Sequence, residues 1–261
     1  MYPVLFSIGP LTIHTYGLLV AVGALVGLFV TVRGSDASGM SRQQVMDMIF
    51  MIILCAIVGS RLAFVLMNYT YFIERPLAVF KLWEGGLVFS GGLVLVILFV
   101  GWYILRHRLP LWSIGDLFAP AVAISQGIGR LGCLMAGCCY GKPSDMPWSV
   151  VFNHPQSLAP LHVPLHPTQI YASLSGFLIF FVLILIRQKK KFEGQVFLWF
   201  VILHSTSRLI IERFRGDDRG MISGTGLSVT QVVTLVLLVA AVVFLVILSS
   251  KQEKGTSSSS S

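Results

Sequence analysis

Seven apolar stretches limit what this chain can fold into more than any other feature of its sequence. Each has about 18 or more residues, the length that an α-helix needs to cross the hydrocarbon core of a bilayer. They cover roughly residues 12–32, 46–67, 86–105, 112–137, 169–187, 195–213 and 226–248. With 55% hydrophobic and 11% charged residues, the composition also differs from that of soluble domains. We therefore predict an all-α polytopic membrane protein with about seven transmembrane helices.

The basic residues in and beside the loops predict that the N-terminus lies outside. In that orientation ten of them are on the inner side and five on the outer side, in agreement with the positive-inside rule. The inner set is Arg33, Arg42, Arg106, Arg108, Arg187, Lys189, Lys190, Lys191, Lys251 and Lys254, and the outer set is Arg75, Lys81, Lys142, Arg215 and Arg219. Because these residues form no stripe, the net charge of +8 does not indicate a nucleic-acid partner.

A single membrane domain is predicted over residues 1–249, followed by a polar, disordered tail at 250–261. The connection 138–168 carries six prolines and predicts a rigid, extended excursion on the outer face, not another span. Thr168 is a candidate N-cap for the helix that follows it. The aromatic, amphipathic segment 69–83 is expected to lie in the membrane interface.

Arg130 interrupts the fourth apolar stretch, where a charge is costly and usually faces a bundle interior or a wet cavity. In the predicted topology Arg61, Arg208 and Glu212 fall at the same outer depth, as do Tyr16 and the segment 85–92. Independent structural ion pairs have no reason to share one layer. The pattern therefore favours a functional cavity over the alternative, a structural ion pair between packed helices.

The sixth apolar stretch carries His204, Arg208, Glu212 and Arg215 at spacings of four, four and three, which place them on one helix face. Two interpretations remain open. Arg208 and Glu212 could form a pair that only neutralises both charges, or Glu212 could orient Arg208 toward an anionic ligand. A guanidinium fork matches phosphate oxygens, so that ligand would be an anionic lipid.

Cys133, Cys138 and Cys139 form the only group among the four cysteines. Their C-x4-C-C spacing is not a zinc-ligand pattern and no second pair accompanies it, so we predict no metal and no cofactor. A thiol–disulfide function of the adjacent cysteines remains an alternative.

Six motifs, in matching order, resemble those of the prolipoprotein diacylglyceryl transferase family. They are Gly129-Arg-Leu-Gly-Cys-Leu-Met-Ala-Gly-Cys-Cys-Tyr-Gly141, His14-Thr-Tyr16-Gly17, Gly59-Ser-Arg61, Trp83-Glu-Gly-Gly-Leu-Val-Phe-Ser-Gly-Gly-Leu93, His166-Pro-Thr-Gln-Ile-Tyr171 and Arg208-x-x-x-Glu212-x-x-Arg215. The resemblance implies a multi-pass protein of the bacterial inner membrane, with its active site toward the periplasm. It also implies transfer of the diacylglyceryl group of phosphatidylglycerol to the lipobox cysteine of preprolipoproteins, with release of glycerol phosphate. Its partners are then phosphatidylglycerol, other membrane lipids and preprolipoprotein signal peptides.

By position, the resemblance implies that Arg130 and Arg208 hold the phosphatidylglycerol headgroup. The predicted catalytic residues are Arg130, Arg208, His204 and Glu212. The predicted substrate-binding residues are Tyr16, Arg61, Ser90, Gly91, Gly92, Arg130, Cys133, Gly141, His166, Tyr171, Arg208 and Arg215.

Three departures from the family pattern affect these assignments. Ser90 stands where the family often has a histidine, Cys133 and Cys138 stand where it often has Asn and Glu, and His204 replaces a frequent tyrosine. The catalytic base is therefore open between His204 and His166. An anionic-lipid transporter or scramblase and a membrane thiol oxidoreductase are the alternative functions.

Overall fold

A computed structural model of the chain describes residues 2–8, 11–35, 39–81, 85–217 and 228–258. The helices are α1 (Thr15–Gly34), α2 (Arg42–Met67), α3 (Tyr69–Glu74), α4 (Phe89–His107), α5 (Leu111–Ala136), α6 (Thr168–Gln188), α7 (Gln195–Glu212) and α8 (Val229–Ser258), with a 3-10 helix at Pro76–Phe80. The strands are β1 (Val4–Ile8), β2 (Leu11–His14), β3 (Val150–Val151) and β4 (Pro164–Leu165). The predicted all-α polytopic class is confirmed.

Six of the described helices are long and apolar enough to cross a membrane: α1, α2, α4, α5, α6 and the portion Val229–Gln252 of α8. Each coincides with a predicted apolar stretch. The remaining stretch forms α7, whose 18 residues include His204, Arg208 and Glu212. Helix α7 is not among the helices that are long and apolar enough to cross a membrane. Seven spans and an outside N-terminus therefore stay predictions.

The chain forms two compact units, and the single membrane domain stays a prediction. The large unit contains residues 1–31 and 115–261, and the small unit contains residues 32–114. In the small unit α2 and α4 pack closely through glycines: a Cβ on Gly59 would lie 2.6 Å from the carbonyl oxygen of Gly91, and one on Gly92 would lie 2.7 Å from that of Ala56. Small residues let two membrane helices approach in this way.

Arg61 binds the chain that follows α2 within the small unit. Its five N–H donors are directed at the carbonyl oxygens of Ala78, Val79, Lys81, Gly85 and Gly86, at 2.6 to 3.2 Å. Two of these carbonyls belong to glycines with positive φ. Between α2 and this turn lie α3 and the 3-10 helix, which are far too short to cross a bilayer. The hydrogen bonds to these carbonyls thus offset the cost of burying the Arg61 guanidinium.

Small and hydroxylated residues also hold the large unit together. The Ser125 hydroxyl of α5 donates to the Gly23 carbonyl of α1 at 2.8 Å, and the Ser173 hydroxyl of α6 donates to the Gly127 carbonyl of α5 at 2.7 Å. Near Gly127, a Cβ on Gly176 would lie 2.9 Å from the Gly127 Cα atom. A buried apolar cluster joins α5, α6 and α7 through Ala119, Ala123, Ile179, Leu183 and Val196.

Asp116 of α5 anchors the start of α7. Its two carboxylate oxygens accept hydrogen bonds from the backbone amides of Gly194 and Phe197, each at 2.8 Å. Lys190 lies 3.2 Å from the same carboxylate. A carboxylate at a helix N-terminus satisfies amides that have no partner inside the helix. Asp116 therefore sets where α7, which carries three predicted site residues, begins.

The proline-rich excursion contains no helix and has a small core of its own. Strands β3 and β4 pair in antiparallel register, and Phe152 is buried among Leu134, Ala159 and Leu165. The predicted N-cap is wrong: Pro167 occupies the cap position, and the Thr168 hydroxyl instead donates to the Cys139 carbonyl at 2.7 Å.

Two further differences concern the ends of the chain. The hairpin of β1 and β2 precedes α1, where the sequence analysis expected no strands. At the other end, α8 continues as a helix to Ser258, past the predicted tail boundary at residue 250. A helix leaving the membrane can extend into polar sequence because its backbone bonds are internal. Residues 259–261 lie outside the described residues.

We expect Asp116→Ala to lower the free energy of unfolding by about 2–4 kcal/mol, because it removes a buried acceptor of two amides and one lysine. The shift is measured as the unfolding midpoint of the purified protein in detergent. Glu193→Gln is the matched control. Glu193 pairs with the same lysine but its side chain is 56% exposed, so the expected change is below about 0.5 kcal/mol. Equal effects of the two substitutions would contradict the anchoring role.

Candidate active site

A cleft between α5, α6 and α7 contains three of the four predicted catalytic residues. The cleft is small and partly open to its surroundings. The lining residues are Gln126, Arg130, Ala172, Ser175, Gly176, His204, Ser207, Arg208 and Ile211. Arg130 comes from α5 and Arg208 from α7. The fold therefore brings two guanidinium groups from separate helices to one opening.

Glu212 holds Arg208 from the next turn of α7. The Arg208 Nη2 atom lies 3.0 Å from the Glu212 Oε2 atom, and the two side chains are only 13% and 8% exposed. The Ser228 hydroxyl donates to the other carboxylate oxygen of Glu212 at 3.3 Å. The contact with Arg208 is an ion pair, since the buried Oε2 atom has no hydrogen-bond partner among the described residues. This geometry is compatible with both functions predicted for the pair: Glu212 can neutralise the charge of Arg208, and it can orient the guanidinium toward a ligand.

His204 lies one turn before Arg208 on the same face of α7. Its ring stacks on Phe200, with ring centres 5.5 Å apart and planes 20° apart. It lines the cleft together with Arg130 and Arg208. A neutral imidazole offers one nitrogen as a proton acceptor. His204 is therefore the candidate base that shares a cavity with the arginines.

The loop after α5 folds back onto Arg130. Gly137 and Cys139 both adopt positive φ, of 78° and 60°. A Cβ at Gly137 would also meet the Ser157 side chain, so a glycine is required there. The turn places the Cys139 sulfur 3.6 Å from the Arg130 Nη1 atom. Helix α6 ties the loop down, because the Gln169 amide nitrogen donates to the Cys138 carbonyl at 2.8 Å.

Three thiols meet at this turn. The sulfur atoms of Cys133, Cys138 and Cys139 all lie within 4.8 Å of one another, and the four cysteines of the chain are in the reduced, unbridged form. Hydrogen bonds from Cys133 and Cys138, together with the Arg215 guanidinium, lower the pKa of the Cys139 thiol. Of the three thiols, Cys139, which contacts Arg130, is therefore the one whose ionised form is favoured.

Arg215 is occupied by a carboxylate in the structure. Its Nε and Nη2 atoms donate to the two oxygens of Asp217 at 2.8 and 2.6 Å, and the side chain is almost fully buried. Arg215 also interacts with Cys139. It was predicted to bind substrate, and the structure places it behind the cysteine loop as part of an ion pair.

The predicted residues Gly141, His166 and Tyr171 lie together at the edge of the excursion. The Gly141 amide donates to the His166 carbonyl at 3.1 Å, and a Cβ on Gly141 would lie 2.5 Å from that oxygen. The His166 Nδ1 atom is 3.3 Å from the Tyr171 hydroxyl, which also accepts a hydrogen bond from Trp148 at 2.7 Å. Both rings pack against Phe214. His166 thus belongs to an aromatic network.

Tyr16 lies at the start of α1 and packs on Gly132, where a Cβ would lie 3.2 Å from its ring. It is close enough to Arg130 and the three clustered cysteines for electrostatic interaction. Four other predicted residues, Arg61, Ser90, Gly91 and Gly92, belong to the small unit. Their role in substrate binding stays a prediction.

Several residues near the site were missed in the sequence. They are Gln126, Ser175 and Ser207 in the cleft, Ser228 beside Glu212, Asp217 beside Arg215, and Trp148 and Phe214 around Tyr171. Helical periodicity could have revealed the first group. Gln126 lies four residues before Arg130, and Ser207 lies three residues after His204, spacings that share a helix face. No local signal marks the others, because their partners are distant in sequence or lie in loops.

Comparison with known proteins identifies the family of this chain. Residues 3–247 match the family described as prolipoprotein diacylglyceryl transferase. A relative from Clostridium tetani, named phosphatidylglycerol–prolipoprotein diacylglyceryl transferase, is 35% identical over 235 residues, covering 90% of this chain and 93% of the relative. Relatives of the same name from Photobacterium profundum and Vibrio cholerae are 37% and 35% identical, covering 89% of this chain and 87% and 86% of their own lengths. The chain belongs to the prolipoprotein diacylglyceryl transferase family.

Proposed function

We propose that this chain transfers the diacylglyceryl group of phosphatidylglycerol to the thiol of the lipobox cysteine in preprolipoproteins. This reaction is the first step of bacterial lipoprotein maturation. The observation that carries the proposal is the presence of Arg130 and Arg208 in one cleft between membrane helices. Family membership and the names of the relatives support it. The positive-inside asymmetry supports a site that faces the periplasm of the inner membrane.

The reaction forms one carbon–sulfur bond and breaks one carbon–oxygen bond. The cysteine sulfur attacks the terminal glyceryl carbon of the diacylglyceryl group, and the phosphate oxygen leaves with glycerol phosphate. The thiol proton passes to a base. The phosphodiester carries one negative charge, whereas the departing phosphomonoester develops a second. Stabilising that second charge is the main electrostatic requirement of the step.

The two arginines meet this requirement. A guanidinium near the phosphate gains interaction energy as negative charge develops, so it stabilises the transition state more than the bound lipid. The ion pair with Glu212 keeps the Arg208 guanidinium beside the cleft before the lipid arrives, and Cys139 contacts Arg130 from the loop side. Pre-oriented donors lose little freedom when they act.

His204 is the base that the geometry favours. It lines the cleft with both arginines, whereas His166 is engaged with Tyr171 and the excursion. The position where the family often has a histidine holds Ser90, an exposed residue in the first turn of α4. In this chain we therefore assign proton removal to α7.

We expect Arg130→Ala to reduce transfer by about 100-fold or more, the effect of removing one transition-state donor. The assay uses purified protein in phosphatidylglycerol vesicles with a lipobox peptide, and it measures thioether-linked product. Arg75→Ala, at an exposed arginine of the small unit, is the control and should retain activity. Near-normal transfer by Arg130→Ala would refute the role. Lipid movement between leaflets without product would favour a carrier over an enzyme.

Arg208→Lys should lower kcat/KM by about tenfold or more although it keeps the positive charge, because lysine cannot form a paired fork with phosphate and with Glu212 together. Glu212→Gln is the companion variant and removes the charge that orients the fork. If orientation is the function of Glu212, the double variant should lose little more than Arg208→Lys alone. Full activity of Arg208→Lys would show that net charge suffices.

A further inference from the structure

The spacing of the three clustered thiols fits a single metal ion. Their sulfur atoms lie within 4.8 Å of one another. At a metal–sulfur distance of about 2.3 Å, sulfurs around one three-coordinate ion are about 4.0 Å apart, and sulfurs on opposite sides of an ion about 4.6 Å apart. Only a small contraction of the cluster is needed to bring the three sulfurs to one ion.

The main chain holds the ligands near this arrangement. Cys133 lies in the last turn of α5, and the two positive-φ residues Gly137 and Cys139 return the chain to it. The carbonyls of Cys138 and Cys139 are bound by Gln169 and Thr168 at the start of α6. A loop fixed in this way loses little conformational entropy when it binds a ligand.

The number of ligands and the surrounding charge select the kind of ion. Among the described residues the group contains three sulfurs and no fourth His, Cys, Asp or Glu, whereas structural zinc is almost always bound by four ligands. Soft thiolates select Cu(I). Three thiolates with one monovalent ion carry a net charge of −2. The guanidinium of Arg130, 3.6 Å from the Cys139 sulfur, offsets part of this charge. Arg215 also interacts with Cys139, although Asp217 already neutralises its charge.

We propose that Cys133, Cys138 and Cys139 bind one Cu(I) ion in a three-coordinate thiolate site. This site is additional to the transferase cleft and does not depend on the proposed transfer reaction. The sequence analysis predicted no metal because C-x4-C-C lacks the spacing of known zinc ligands. The three cysteines lack that spacing along the chain, but the turn after α5 brings them together in space.

The test is a titration of the purified full-length chain in detergent with Cu(I) alone, without oxygen and in competition with a chromogenic Cu(I) chelator. We expect the wild type to withhold one equivalent from the chelator. Cys138→Ser and Cys139→Ser should each weaken binding by about tenfold or more, since each removes one of three ligands. Cys55→Ser is the matched control, because Cys55 lies in α2 outside the cluster, and it should bind like the wild type.

X-ray absorption of the wild-type complex keeps the test decisive if the serine variants fail to fold. The expected spectrum has three sulfur neighbours around Cu(I). Four results would overturn the site: no ion withheld from the chelator, a spectrum without three sulfurs, binding that survives serine at all three positions, or zinc that binds at one equivalent and excludes copper. Since no lipid or peptide is present, these results leave the transferase proposal untouched.

Discussion

The cost of placing charge inside a bilayer dominates this structure. Arg208 is acceptable in α7 because Glu212 lies 3.0 Å away and is itself held by Ser228. Arg61 meets the same cost differently, by directing its five donors to backbone carbonyls. Arg130 of α5, which lines the same cleft as Arg208, is contacted by Cys139 in the loop after α5. Each of these three arginines is thus accompanied by groups that offset the cost of its burial.

The loop after α5, which carries Cys138 and Cys139, connects the proposed transferase cleft with the proposed copper site. It follows the helix that supplies Arg130, it is tied to α6 through Thr168 and Gln169, and Arg215 lies against it. In this chain thiols occupy positions where the family often has an amide and a carboxylate. The thiol that contacts Arg130 belongs to the neighbouring residue Cys139, and in its ionised form it can act as the anion beside an arginine. Unlike a carboxylate, it also prefers soft metal ions.

Sequence patterns predicted the helices well and the site only in part. Long apolar stretches identify spans because a helix must be apolar over its whole length to cross a bilayer. The α7 face was also visible, since His204, Arg208 and Glu212 share helical spacing. By contrast, Thr168 was expected to cap α6 and instead binds Cys139, and the contacts of Arg61 with backbone carbonyls such as those of Ala78 and Gly85 were not predicted. These partners are separated by 17 to 29 residues, beyond the reach of any local pattern.

The sequence by itself determined that the chain is an α-helical membrane protein of a lipid-transferring family, with arginines in its apolar helices. Composition and helical period are local properties and can be read without a fold. The tertiary structure decided that Arg130 and Arg208 share one cleft, that Arg215 is paired with Asp217, and that three thiols converge. Those facts depend on how helices cross and where loops turn. Both follow from packing between residues that are far apart in the chain.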